Sequence, residues 1–119
     1  MILVTGATGF VGRRVVRALV SRGTKVKALI HTHARDGLVK GAGVEVHYGD
    51  VLDRASLSRS MEGVDAIVHL VAIIREKGQS TFDLVNRQGT ANVVEVAKEA
   101  GVSRFVHLSA IGAVEDPSL

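Results

Sequence analysis

Gly6, Gly9 and Gly12 recur at every third position directly after the apolar run at residues 1–5, and an amphipathic stretch follows them. The spacing is Gly-x-x-Gly-x-x-Gly rather than Gly-x-Gly-x-x-Gly, but each glycine has a task in a strand-turn-helix connection. Gly6 turns the chain sharply, Gly9 lets a pyrophosphate approach the backbone, and Gly12 lets the helix pack on the strand. Backbone N–H groups at Gly9, Phe10 and Val11, with Thr8 inside the turn, would then face phosphate at the positive end of a helix dipole. The competing reading is a glycine-rich connection that binds nothing.

The end of the second apolar run distinguishes between phosphate-bearing ligands. An NAD site commonly places Asp or Glu about 20 residues beyond the glycines, to hold the ribose hydroxyls. Here that place reads Ile30-His31-Thr32-His33, and the first acidic residue of the chain is Asp36. His31, His33 and Arg35 are placed to meet a 2′-phosphate, which favours NADP over NAD as the cofactor. The alternative for each is a solvated loop side chain. His31 and His33 at i and i+2 have no third ligand nearby in sequence, so no metal site is expected.

The elements that must position these residues follow from periodicity. Runs rich in apolar and β-branched residues at 1–5, 25–30, 44–48, 65–71 and 105–109 read as strands, the one at 1–5 buried on both faces and the one at 105–109 also buried. Between them, residues 11–21 recur at helical spacing, with Val11, Val15, Ala18 and Leu19 inward, Arg13, Arg14, Arg17 and Ser21 outward, and Gly23 as the terminator. A short helix is expected over 53–61. A longer one spans 80–100, opened by a Ser80-x-x-Asp83 capping box, striped by Phe82, Val85, Gly89, Val93, Val96, Ala97 and Ala100, and closed by Gly101. Residues 35–40 are a short helix or a loop. Alternating strands and helices with right-handed crossovers predict an α/β fold: a doubly wound parallel sheet of five strands in the order 3-2-1-4-5, with helices on both faces.

The composition fits one such domain of 119 residues, 46% hydrophobic, with 13 glycines and no cysteine. The absence of cysteine excludes disulfides and thiolate metal sites and is compatible with a reducing compartment, so a cytoplasmic or organelle-matrix protein is expected. No apolar run approaches the roughly 20 residues of a spanning helix, so no membrane partner is expected. The net charge of +3 is unevenly spread. Arg13, Arg14, Arg17, Arg22, Lys25, Lys27 and Arg35 meet no acid in the first 35 residues, and the remainder of the chain is net −4. That field suits a phosphate-bearing partner. Nucleic acid is disfavoured, because 3% aromatic residues leave little for base stacking and the arginines fit an exposed helix face.

Five motifs in order resemble the short-chain dehydrogenase/reductase superfamily in its extended and atypical branches. These branches include NAD-dependent epimerase/dehydratases and the NADPH-binding accessory subunit of respiratory complex I. TGATGFVG at 5–12 resembles the opening motif, and Gly49-Asp50-Val51-Leu52-Asp53 the segment in which the aspartate at Asp50 contacts the adenine amino group beside the Val51 backbone. His69-Leu70-Val71-Ala72 is similar to the stretch lining the cofactor. Val85-Asn86-Arg87-Gln88-Gly89-Thr90-Ala91-Asn92-Val93 resembles the helix whose first asparagine is Asn86, and Arg104-Phe105-Val106-His107-Leu108-Ser109-Ala110 the fifth-strand motif. The resemblance implies cofactor contacts from Leu70, Val71, Ala72, Asn86 and Leu108, and catalytic roles for Asn86 and Ser109. Read from the residues alone, Asp50 equally well caps the helix near Asp53, Asn86 makes a structural hydrogen bond, and the Ser109 hydroxyl bonds nearby backbone.

Two departures limit the activity implied. Ala110 stands where active members carry Ser or Thr, and the Tyr-x-x-x-Lys pair is missing: the sole tyrosine, Tyr48, has Leu52 four residues on. The resemblance therefore implies that residues 1–119 are the NAD(P)-binding Rossmann domain of a longer protein, without the C-terminal catalytic Tyr/Lys and substrate-binding part. That parent would be an oxidoreductase or nucleotide-sugar epimerase/dehydratase acting on an unidentified small molecule. The alternative is a non-catalytic NADPH-binding structural or redox-sensing protein. The helix at 80–100 is a candidate homo-oligomer face.

Overall fold

A computed structural model describes residues 1–31, 37, 39, 41, 43–70 and 87–107. Five parallel strands, β1 (Ile2–Thr5), β2 (Val26–Ile30), β3 (Val44–Tyr48), β4 (Ala66–His69) and β5 (Arg104–His107), form one sheet in the order β3-β2-β1-β4-β5. The expected topology is thus the observed one. β1 lies at the centre, with Leu3 in register with Lys27 of β2 on one side and Ile67 of β4 on the other. The order reverses between β1 and β4, which makes the carboxyl edge there the crevice of an open α/β sheet.

Strand alternation divides the core between the two faces. Val4, Ala28 and Ile30 point to the side of α1 (Phe10–Ser21) and cluster with Val16. Leu3, Leu29 and Ile67 point to the other side, where they meet Leu57 of α2 (Arg54–Ser60) and Val93 and Val96 of α3 (Gly89–Glu99). α2 and α3 are further joined by Arg54, whose guanidinium donates to Glu95 Oε2 at 2.5 Å and Glu99 Oε1 at 3.2 Å. Every residue of β2 is buried, including Lys27, whose Nζ donates to the Glu62 carbonyl at 2.7 Å just beyond the end of α2. A cation suits the negative end of a helix.

The structure corrects three sequence expectations. α1 buries Gly12 and Val16, whereas Val11 and Ala18 face outward, so its inner line is turned by about one residue. Ala100, assigned to the inward stripe of α3, is exposed as the C-cap. β5 is not a buried strand among the described residues: it is the sheet edge, with Phe105 half-buried and Val106 55% exposed. A continuous apolar run cannot tell a central strand from an edge strand. The expected stop signals hold, since Gly23 (φ 78°) and Gly101 (φ 76°) follow α1 and α3 in the left-handed conformation. Among the described residues, no helix is long and apolar enough to cross a membrane.

Candidate functional site

The turn after β1 is built around the two outer glycines. Gly6 adopts φ 66°, and its carbonyl accepts the Gly9 N–H at 3.1 Å. A Cβ on Gly12 would lie 2.0 Å from that same Gly6 oxygen, so α1 packs on the turn with no room for a side chain. Gly9 is the N-cap of α1; no side chain caps this helix end, and no acidic residue stands in its first turn. Gly9, Phe10 and Val11 are exposed there, while Thr8 is half-buried. Phe10 lies beneath the Arg14 guanidinium, 3.7 Å from the ring centre, and Arg14 donates to the Phe10 carbonyl at 2.9 Å. An open, acid-free helix N-terminus behind a turn that excludes side chains fits the pyrophosphate of a dinucleotide.

β2 and β3 deliver the second part of the edge. His31, exposed directly after β2, places Nε2 3.4 Å from Asp50 Oδ2. The other carboxylate oxygen of Asp50 accepts the Leu52 N–H at 2.9 Å, while the Asp50 N–H donates to Ser56 Oγ at 3.1 Å. Asp50 does not cap α2. That role belongs to Asp53, whose Oδ1 accepts the N–H groups of Ala55 and Ser56, and the Asp50 carboxylate is left on the rim beside His31.

Val51 is buried, and its carbonyl accepts Asn92 Nδ2 at 3.0 Å from α3. The Asn92 Oδ1 in turn accepts Gln88 Nε2 at 3.0 Å. Sequence reasoning passed over Asn92, although an amide one position before Val93 on an inward stripe signals a buried partner. Asn92→Ala is expected to cost about 1–3 kcal/mol in urea unfolding, because it orphans the Val51 carbonyl. It is also expected to loosen the Asp50–Val51 segment, read as weaker NADPH binding in a titration; unchanged stability would refute the anchor.

At the strand-order reversal stands His69, fully buried at the end of β4. Its Nδ1 lies 2.7 Å from Thr5 Oγ1 and its Nε2 2.9 Å from Thr90 Oγ1 of α3. Thr5 Oγ1 also accepts the Leu70 N–H at 3.0 Å, so the first residue after β4 is tied to the residue before Gly6. Burial, helped by the neighbouring His107, pulls the His69 pKa down to about 4 and holds the ring neutral at ordinary pH. Sequence reasoning named the 69–72 motif but not this role; the one imidazole ending the run Ala66-Ile67-Val68 was its signal.

The structure therefore sets Gly6, Thr8, Gly9, Phe10, Val11, Gly12, His31, Asp50, Val51 and Leu70 at or just beyond the carboxyl ends of β1 to β4. His33, Arg35, Val71, Ala72, Asn86, Leu108 and Ser109, as well as the capping box at Ser80 and Asp83, lie outside the described residues.

Known proteins are similar to this chain in sequence and in fold. The chain is 44% identical over 115 residues to "Sterol demethylase protein B" of Methylococcus capsulatus, covering 94% of this chain and 35% of that protein. It is 34% identical over 119 residues to "Ceramide reductase" of Caulobacter vibrioides, covering 100% of this chain and 37% of that protein. A crystal structure of a short-chain dehydrogenase/reductase superfamily protein from Agrobacterium tumefaciens with bound NAD superposes with a TM-score of 0.77 at 37% identity, over 92% of this chain and 32% of that one. The chain thus spans about a third of the length of the relatives it matches. The model of the 3-beta hydroxysteroid dehydrogenase/isomerase family matches residues 3–118, and the chain belongs to that family.

Proposed function

We propose that residues 1–119 form an NAD(P)-binding unit with a preference for NADPH. In a full-length parent it would hold the cofactor for hydride transfer to or from an apolar carbonyl or alcohol. The observation that carries this reading is the uncapped, acid-free start of α1 behind a turn closed by Gly6 and Gly12. Phe10 and Val11 would receive the pyrophosphate on backbone N–H groups, Gly9, whose own N–H is taken by the Gly6 carbonyl, would leave its approach clear of a side chain, Asp50 would meet the adenine amino group, and Leu70 would line the pocket. When bound, the nicotinamide supplies the hydride; this chain's residues bind and orient it.

The NADPH preference is supported by His31, which stands at the end of β2 where an NAD site commonly carries a carboxylate. Sequence neighbours His33 and Arg35 add to the cationic character. Relatives named "Sterol demethylase protein B" and "Ceramide reductase" support a lipid-like substrate for the parent. The cysteine-free composition supports a reducing, cytoplasmic setting.

Calorimetric titration with NADPH and NADH at low and moderate salt tests the reading. NADPH is expected to bind more tightly, by about tenfold, and to lose affinity with salt because charge reads the 2′-phosphate. Equal affinities would remove His31 from the argument, and binding of neither dinucleotide would overturn the reading. A second reading, a non-catalytic NADPH binder, is favoured by Ala110 at the position of the substrate-orienting hydroxyl. A parent that binds NADPH but turns over no carbonyl or alcohol would decide for it.

A further inference from the structure

The proposed function uses the rim of the sheet and leaves a buried, titratable side chain beneath it without a role. We infer that His69 is a positioning residue, whose imidazole couples the hydroxyls of Thr5 and Thr90 and so fixes the phosphate turn, the start of the loop after β4 and the first turn of α3 against one another. As a statement about dinucleotide affinity, it rests on the reading of this edge as a cofactor site.

The geometry carries the inference. The three side chains come from β1, β4 and α3, elements far apart in sequence, and the ring bonds at both nitrogens, at 2.7 and 2.9 Å. Each end adjoins a segment of the candidate site: Thr5 precedes Gly6, Leu70 follows His69, and Thr90 stands four residues after Asn86 in the sequence. In the proposed chain, Thr5 Oγ1 receives the Leu70 N–H at 3.0 Å and gives its own proton to His69 Nδ1, so that Nε2 carries the ring hydrogen and donates it to Thr90 Oγ1. The order runs from the Leu70 amide through Thr5 and His69 to Thr90. No buried side-chain polar atom among the described residues is left unpaired, so the network closes. Phe105 and His107 of β5 flank the ring, with centroids 6.0 and 5.3 Å away, and limit its rotation.

Such a chain makes residues that do not touch depend on each other. Thr90→Val keeps the shape of the side chain and removes the acceptor, and Thr90→Ser restores it. In the 119-residue chain, Thr90→Val is expected to speed hydrogen exchange at the Leu70 amide and to weaken NADPH binding roughly fivefold to tenfold. Thr90→Ser should return both to the native values. Thr5→Val with Thr90→Val should cost less than the sum of the two single changes, since one break already frees the ring. Nitrogen NMR of the native chain should find the His69 proton on Nε2. A proton on Nδ1, additive effects, or Thr90→Val with native Leu70 exchange would each overturn the inference. Altered Leu70 exchange in a chain that binds no dinucleotide would instead uphold the coupling and overturn the cofactor reading.

Discussion

Gly12→Ala is expected to abolish dinucleotide binding and to lower the stability of the fold by about 3 kcal/mol or more. The added Cβ would sit 2.0 Å from the Gly6 oxygen, 2.8 Å from the Gly6 carbonyl carbon and 2.9 Å from Ala7 Cα. All three are backbone atoms of the turn itself, so relief requires α1 to move off β1, where Val16 and Val4 share a core cluster. Overpacking of this kind costs about 3 kcal/mol or more, against a total stability of roughly 5–15 kcal/mol for a domain. Gly9 provides the contrast. Its Cβ would lie 3.3 Å from the Gly6 oxygen, at an exposed position with φ −73° and ψ 174°, a conformation open to any residue. Gly9→Val should melt within a few degrees of the native chain yet fail to bind NADPH, because the side chain would stand on the phosphate path. Thermal melts paired with calorimetry separate the two. A folded Gly12→Ala with native affinity would remove the glycine turn from the functional argument.

The sheet order was legible because each strand and helix obeyed its local period, and right-handed crossovers leave few topologies for such an alternation. Val44–Tyr48 was read with its observed bounds, and Gly23 and Gly101 marked the two helix ends by the chemistry that Gly serves there. What failed was rotational and lateral placement. Val11 and Ala18 share a helical spacing with Val15 and Leu19, but Gly12 sets the contact with the turn, and a glycine contributes nothing to an apolar periodicity. The edge position of β5 depends on what lies beyond it in space, which apolarity alone does not record.

The glycine turn at Gly6 to Gly12 was legible because a missing Cβ is visible in the sequence. The candidate site was ambiguous where a side chain has two good uses. Asp50 and Asp53 stand three residues apart, both suited to a helix cap, and only the Ala55 and Ser56 N–H groups show that Asp53 takes that role. The network around His69 was hidden for another reason: Thr5, His69 and Thr90 are brought together by strand pairing and helix packing, and each alone is an ordinary residue for its element. Their partnership is a property of the register Thr5↔His69, which exists only once β1 and β4 are neighbours.

That partnership also has an acid signature. His69 is neutral in the fold, with its pKa pulled to about 4, first by burial and then by His107; in the unfolded chain it returns to about 6.5. Above pH 6.5 the ring is neutral in both states and this group leaves stability unchanged. Between pH 6.5 and 4 the unfolded chain takes up a proton that the folded chain refuses, so stability falls, by about 1.4 kcal/mol per pH unit at the steepest. The full loss approaches about 3 kcal/mol below pH 4, a large share of a small domain's stability. The network gives the loss a structural form: a protonated ring has hydrogens on both nitrogens, so Nδ1 could no longer accept the Thr5 hydroxyl proton. Urea unfolding of the native chain and of His69→Phe at intervals from pH 7 to 4 isolates this one group, because the two proteins differ at no other titratable side chain. The variant is expected to start less stable, with Thr5 and Thr90 unpaired, and to lose less as the pH falls. Parallel curves would mean that His69 takes its proton as easily in the fold as outside it, and the neutral, bonded imidazole at the centre of the sheet would have to be abandoned.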